Sequence, residues 1–256
     1  MRSACAITAS SFATILTWTQ SLQNVLFFPN SLIEFSRIAE KGCTVEKMEA
    51  SELLFLLVLD FEANCSKQSE RDHEICEFPA VLLDLSGNIV EEFRTFVKPV
   101  RIPKISPFIH ELTGISDADV ASGMTWAEAL NAFDRWCNDR GVHARNTVVV
   151  TCGDWDLKTM LVRQHKICGT HASQPIRLRQ LFARWTNVKL TYATFKQRRE
   201  LVGMDAMLGD AGLQLMGRHH SGIDDCRNIA ALCRYLIQHG QLQALLAADR
   251  NRSPRK

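Results

Sequence analysis

Three short stretches of this 256-residue chain hold carboxylates and histidines at spacings that suit chemistry on a charged substrate. The first is "LDFEA", where Asp60 and Glu62 follow the apolar run Leu53 to Leu59. Side chains alternate along a strand, so the two carboxylates share one face and Phe61 takes the other. Like charges at the end of a buried strand repel, and a hard divalent cation would compensate them. An acidic turn closing the strand is the alternative. The second stretch, "GDWDLKTML", supplies Asp154, which suits a helix N-cap, and Asp156, which falls in the first turn and is not needed as a cap.

The third stretch, "GRHHSGIDDCRN", contains two His–Asp pairs with the same five-residue separation, His219/Asp224 and His220/Asp225. Helical phase separates them. Stepping back from the apolar Ile229, Leu232 and Leu236 by four, seven and eleven residues reaches Asp225. Stepping forward from Asp224 reaches Arg227, Asn228 and Ala231, a more polar face. Asp225 is therefore expected to face the sheet with His220 as its companion. Asp224 is expected to face solvent or the helix start. A histidine beside Gly222 is otherwise an ordinary loop residue.

The elements that must position these groups follow from pattern. "LLFLLVL" reads as a central strand buried on both faces. "FPAVLLDL" and "IVEEFRTFV", separated by the turn signal "SGN", extend it into an antiparallel meander. Pro99 to Pro107 reads as extended loop. Thr125 and Glu128 form a capping box, and Ala129, Leu130, Phe133, Trp136 and Cys137 keep helical period until Gly141. "NTVVVTC" is a β-branched strand ending at Gly153, with helix resuming at Trp155. "WTNVKL" is a weaker strand, and a last helix runs from about Gly222 to Gly240. The fold class expected is α/β: a mixed sheet, antiparallel meander plus parallel strands, flanked by helices. The organisation expected is an N-terminal extension over residues 1–50, poorly ordered, then one domain over 51–242 and a basic tail over 243–256.

Composition narrows the class. Apolar residues make up 46% of the chain, enough for a globular core. The net charge of +2 hides an asymmetry: residues 1–128 carry 10 Lys/Arg against 18 Asp/Glu, and residues 129–256 carry 20 against 10. Leu157 to Arg199 holds ten basic residues and no acidic one, a surface that suits a polyanion or is simply solvated. The nine cysteines are odd in number and include no C-x-x-C pair, so they indicate neither a disulfide framework nor a zinc site. No apolar run approaches the roughly 18 residues of a membrane span. The first 33 residues lack acidic side chains but are too polar for a secretory core and too poor in arginine for a good presequence. The expected location is intracellular, cytoplasmic or nuclear, or mitochondrial if that extension is a transit segment. Met48, just before the first strand, is an alternative start.

Taken together, "LVLDFEANC", "FVKPV", "ELTGISDADV", "VVTCGDWDLK" and "GRHHSGIDDCRNIA" resemble the DEDDh group of 3′→5′ exonucleases, and within it the Eri-type branch. The resemblance covers about Leu53 to Gly240 and implies an RNase H-like fold. It implies that Asp60, Glu62, Asp156 and Asp225 hold two Mg²⁺ ions, for which Mn²⁺ can substitute, and that His220 and Glu62 act in catalysis. It implies contacts from Ala63, Leu112, Thr113 and Trp155 to the terminal nucleotides. The implied activity is hydrolysis of terminal phosphodiesters of single-stranded RNA or RNA 3′ ends to 5′-mononucleotides, with no membrane partner. A catalytically silent RNA-binding scaffold and an exonuclease for DNA or short oligonucleotides are the alternatives. The family stretch reads Arg-Pro-His, so His219 stands where proline is usual. "TFKQRRELVG" also departs from the pattern.

Overall fold

The computed structural model describes residues 53–65 and 72–247. The extension over 1–50, Met48 and the last residues of the basic tail lie outside them. Six strands form one sheet: β1 (Phe55–Leu59), β2 (Glu62–Asn64), β3 (Glu74–Asp84), β4 (Ile89–Phe96), β5 (Thr147–Thr151) and β6 (Trp185–Asn187). The long β3 pairs antiparallel with β1 and β2 on one edge and with β4 on the other. β1 and β5 pair in parallel, as do β5 and β6. This is the mixed sheet expected, with the meander and the parallel strands where the sequence puts them.

A break in the sheet falls at the first carboxylate pair. Leu59 pairs with Ala80 and Glu62 with Glu77, so β1 and β2 keep a common register along β3. The interruption at Asp60 and Phe61 falls opposite Pro79, which has no N–H to give a ladder. Alternation nevertheless runs through it. Leu57, Leu59, Phe61 and Ala63 join one core layer with Trp126 and Phe133. Leu56 and Val58 join the other, with Ile229, Leu232 and Leu236. Asp60 and Glu62 thus continue the face covered by the last long helix.

Helices cover both faces. After β4 come α1 (Pro107–Thr113), α2 (Asp117–Ser122) and α3 (Trp126–Asp139). Helix α3 starts at the Thr125–Glu128 capping box and buries Ala129, Leu130, Phe133, Trp136 and Cys137, as its period requires. Helices α1 and α2 are local features that the apolar pattern does not announce. Ser106 caps α1 ahead of Pro107, and Ser116 with Asp119 forms a second capping box. Beyond β5, Trp155–Met160 is π-helical and runs into α4 (Leu161–Cys168), followed by α5 (Ile176–Leu181). Only Trp185–Asn187 of "WTNVKL" is strand. Asn187 accepts a hydrogen bond from the Lys189 amide and so starts α6 (Val188–Phe195). Then come α7 (Met204–Asp210), α8 (Gly222–Gln238) and α9 (Leu242–Leu246). The packed chain therefore continues past residue 242: Leu245 in α9 is fully buried, and Thr186 donates to its carbonyl. The seven described cysteines are all unpaired. Among the described residues, no helix is long and apolar enough to cross a membrane.

Candidate active site

Asp60 directly follows β1, Glu62 opens β2, Asp156 lies in the π-helical turn after β5, and Asp225 lies in the first turn of α8. Three segments distant in sequence thereby place four carboxylates at one end of the sheet. Ligand oxygens of Asp60, Glu62 and Asp225 lie within 4.8 Å of one another. Asp156 is fastened to the first motif, because its Oδ1 accepts the Phe61 amide at 2.8 Å. Asp156 and Asp225 are buried.

Burial and crowding both resist ionisation here. Desolvation, followed by the charges of Asp156, Glu62 and Asp225, pushes Asp60 well above the usual carboxylate range. Burial first, then the Glu77 and Asp225 charges, pushes Glu62 up to about 9. Burial raises Asp156 and Asp225 to about 6 each, against the opposing pull of the Phe61 and His220 amides respectively. Lys189, at the start of α6, offsets Asp60 and Asp156. Among the described residues none of the four carboxylates has an arginine or lysine ion pair. Oδ1 of Asp225 is buried without a hydrogen-bond partner. A cluster that is all oxygen, crowded and without an ion-paired arginine or lysine is the donor set a hard divalent ion takes.

His220 joins this cluster from the loop before α8. Its backbone is left-handed, with φ 66°, an unusual state for a residue with a side chain. Its amide donates to Asp225 Oδ2 at 2.9 Å, which fixes the loop to the carboxylate. Burial, then the adjacent His219, lowers its pKa from the ordinary histidine value, so the neutral imidazole is favoured. Asp224 takes the other role expected of it. It accepts the Arg218 amide and pairs with Arg227 at 2.9 Å. His219 lies closer than phase alone suggests: its ring stacks on His220 with centroids 3.9 Å apart, and a ring nitrogen reaches Asp225 within 4.8 Å.

Other expectations meet the structure unevenly. Trp155 is 40% exposed and forms a T-shaped pair with His73, ring centroids 5.9 Å apart. Leu112 is half-buried against the small core around Ile105 and Ile109. Thr113 is buried and its hydroxyl is engaged, donating to the Ile109 carbonyl and accepting the Ile115 amide. Ala63 is buried beside Phe61. Asp154 does not cap the helical turn. Its carboxylate accepts Trp185 Nε1 and Asn187 Nδ2 instead, tying that turn to β6. Asn228, placed by phase on a polar face, is fully buried and bonded to Met216. The basic stretch is partly neutralised: Lys196 and Arg198 pair with Asp210, and Arg177 pairs with Asp134.

Three further residues position the site, Glu77 outside the quoted motifs and Gly222 and Arg218 within the third. Glu77 is buried in β3, with Arg94 on one oxygen at 2.7 Å and the Gly222 amide on the other at 3.3 Å. Gly222 lets α8 approach the sheet. A Cβ there would stand 2.9 Å from Pro79 Cγ, 3.1 Å from the Asp60 carbonyl oxygen and 3.2 Å from Glu62 Cγ. Arg218 reaches from the histidine loop to the Glu111 carbonyl beside Leu112, so it joins the two sides of the site. A charged residue inside the apolar strand "EICEFPAVLL" is the one signal that could have drawn attention to Glu77.

A family profile for exonucleases matches residues 57–233. The chain belongs to the exonuclease family. Within that family it falls on the Eri-type branch of the DEDDh group. It is 35% identical over 230 residues to human ERI1 exoribonuclease 3, covering 84% of this chain and 66% of that protein. It is 34% identical over 223 residues to the 3′-5′ exonuclease Snipper of Drosophila melanogaster, covering 80% and 76%. The nuclease domain of 3′hExo, a DEDDh family member bound to rAMP, superposes with TM-score 0.67 at 28% identity, covering 75% of this chain and 96% of that one. The chain thus spans about two thirds of the length of its human relative.

Proposed function

We propose that this chain is a metal-dependent 3′→5′ exoribonuclease that removes 5′-mononucleotides one at a time from RNA 3′ ends. The observation that carries the reading is the convergence of Asp60, Glu62 and Asp225, with Asp156 fastened to Phe61 beside Asp60, one Asp225 oxygen left unpartnered, and His220 tied to Asp225. Such crowding has no structural benefit in a scaffold. It suits a site in which these four carboxylates hold two ions of the Mg²⁺ or Mn²⁺ kind. Bound there, such ions supply Lewis-acid stabilisation of the charge that develops on a phosphodiester.

The remaining steps belong to the chain's own groups. His220, kept neutral by burial, accepts the proton of the attacking water at a ring nitrogen. Its left-handed backbone and the amide bond to Asp225 hold the ring beside the carboxylates. Glu62, on the same face as Asp60, orients that water. The exposed ring of Trp155 offers a stacking surface for the terminal base, worth about 1–3 kcal/mol. Leu112, next to the Glu111 carbonyl that Arg218 grips, is the residue proposed to contact the terminal nucleotides from α1. RNA as substrate is supported by likeness to exoribonucleases and to a nuclease domain that binds rAMP.

The test is a digest of matched, 5′-labelled RNA and DNA oligomers with Mg²⁺, with Mn²⁺ and with EDTA. Stepwise shortening of RNA that requires the divalent ion is the expected result. Preferential loss of the DNA would replace the substrate, and binding without shortening would leave a scaffold.

A further inference from the structure

We infer that His219, His220 and Asp225 form a second metal site, one that takes a Zn²⁺-type ion and shuts the catalytic site when filled. The three side chains offer donor atoms within 4.8 Å of one another. The set is chemically distinct from the carboxylate cluster. Two imidazoles and one carboxylate make an N,N,O set, which suits Zn²⁺ and leaves a fourth position open for water. Mg²⁺ prefers oxygen donors and has little use for imidazoles.

The loop is already shaped for this. His219 and His220 stack at 3.9 Å with an interplanar angle of 14°, and a ring nitrogen of each lies within 4.8 Å of an Asp225 oxygen. The backbone under them is held by the His220 amide on Asp225, the Arg218 amide on Asp224 and the Ser221 amide on the Arg218 carbonyl. Gly217, with φ 67°, packs directly on the Asp224 carboxylate and completes the turn. Independently of the histidines, Asp225 is 4% exposed and its Oδ1 has no partner. Closing the donors onto one ion needs imidazole rotation about χ2, a soft torsion.

The site exists because of one residue. His219 supplies the second imidazole, and without it only His220 and Asp225 remain as donors. Asp225 is shared between this set and the set with Asp60 and Glu62, and His220 is the proposed base. An ion held by His219, His220 and Asp225 therefore removes a carboxylate and the proton acceptor together. Its inhibitory consequence rests on the exonuclease reading; its existence does not.

The experiment is a Zn²⁺ titration of the full chain against a chromophoric chelator in Mg²⁺ buffer. Wild type, His219→Ala, His219→Pro and Asp60→Asn are compared, with circular dichroism to confirm each fold. Wild type and Asp60→Asn should both bind a tight Zn²⁺. Both His219 variants should bind it more weakly by roughly tenfold or more, since loss of outer-shell support alone weakens metal affinity about 10–100-fold. Co²⁺ in place of Zn²⁺ should give visible bands in wild type that the His219 variants lack. Zn²⁺ should inhibit RNA hydrolysis by wild type and lose that effect in His219→Ala. Equal Zn²⁺ affinity in wild type and a folded His219 variant overturns the site. An inactive protein that still shows the His219-dependent Zn²⁺ would overturn the exonuclease reading and leave the site standing.

Discussion

Replacing Glu62 with glutamine should make the metal-free protein more stable at neutral pH while removing its activity. Glu62 is held between burial and the charges of Glu77, Asp225 and Asp156, which push its carboxyl from 4.5 to about 9. A folded pKa raised above the unfolded one gives stability that is complete below about pH 4.5 and is lost as pH climbs toward 9. At pH 7 the unfolded chain has released this proton and the folded chain keeps it. At 1.36 kcal/mol for each pH step above 4.5, the penalty is about 3 kcal/mol. Glutamine matches the protonated acid in shape and carries no such penalty. The gain is an upper figure, because neighbouring carboxylates share the proton uptake. In a domain of this size 1 kcal/mol moves Tm by roughly 2–4 °C, so the variant should melt several degrees above wild type in EDTA at pH 7. At pH 4 the two should melt together. Mg²⁺ should raise the Tm of wild type and raise that of Glu62→Gln less. A variant less stable than wild type in EDTA at pH 7 would refute the claim that these carboxylates repel one another in the metal-free fold.

Gly222→Ala should damage activity more than stability. The new methyl meets Pro79, the Asp60 carbonyl and Glu62 at 2.9–3.2 Å, an overpacking of about 1–3 kcal/mol, partly offset by alanine's better helix propensity. Since Asp225 lies three residues along the same helix, its displacement should lower kcat by up to about 10²-fold, read by single-turnover kinetics. His220→Ala should cost roughly 10²–10⁴ in turnover while leaving Mn²⁺ binding measurable by calorimetry. In wild type the rate should rise with pH through an ionisation below the ordinary histidine range, because burial favours the neutral ring, and that limb should vanish in His220→Ala. An unchanged pH profile would assign the proton transfer elsewhere.

The parts of the site that are legible in the sequence are those that a period of two or 3.6 encodes. Alternation puts Asp60 and Glu62 on one face because Leu56 and Val58 precede them on it. Helical phase puts Asp225 inward because Ile229, Leu232 and Leu236 follow it in the core. The same periods say which way a residue points but not what it meets. Glu77 and Gly222 touch across 145 positions, and nothing local to either residue records that contact. Asp154 suits a cap by type, yet Trp185 and Asn187 of β6 compete for its carboxylate and win. Phase alone turns His219 away from the carboxylates. The left-handed backbone of His220 instead folds the two rings together, which periodicity cannot foresee in a loop. The break between β1 and β2 depends on Pro79 standing opposite it, a pairing across strands that no local pattern carries.

The most direct test of the central claim is hydrolysis of a 5′-labelled RNA oligomer by wild type and Asp60→Asn, each with Mg²⁺ and with EDTA. Asp60 sits where all three segments meet, and asparagine keeps its shape while removing its charge. Wild type with Mg²⁺ should shorten the RNA stepwise from its 3′ end and release 5′-mononucleotides, while EDTA or Asp60→Asn should stop it. Undiminished shortening by folded Asp60→Asn, or by wild type in EDTA, would contradict the account.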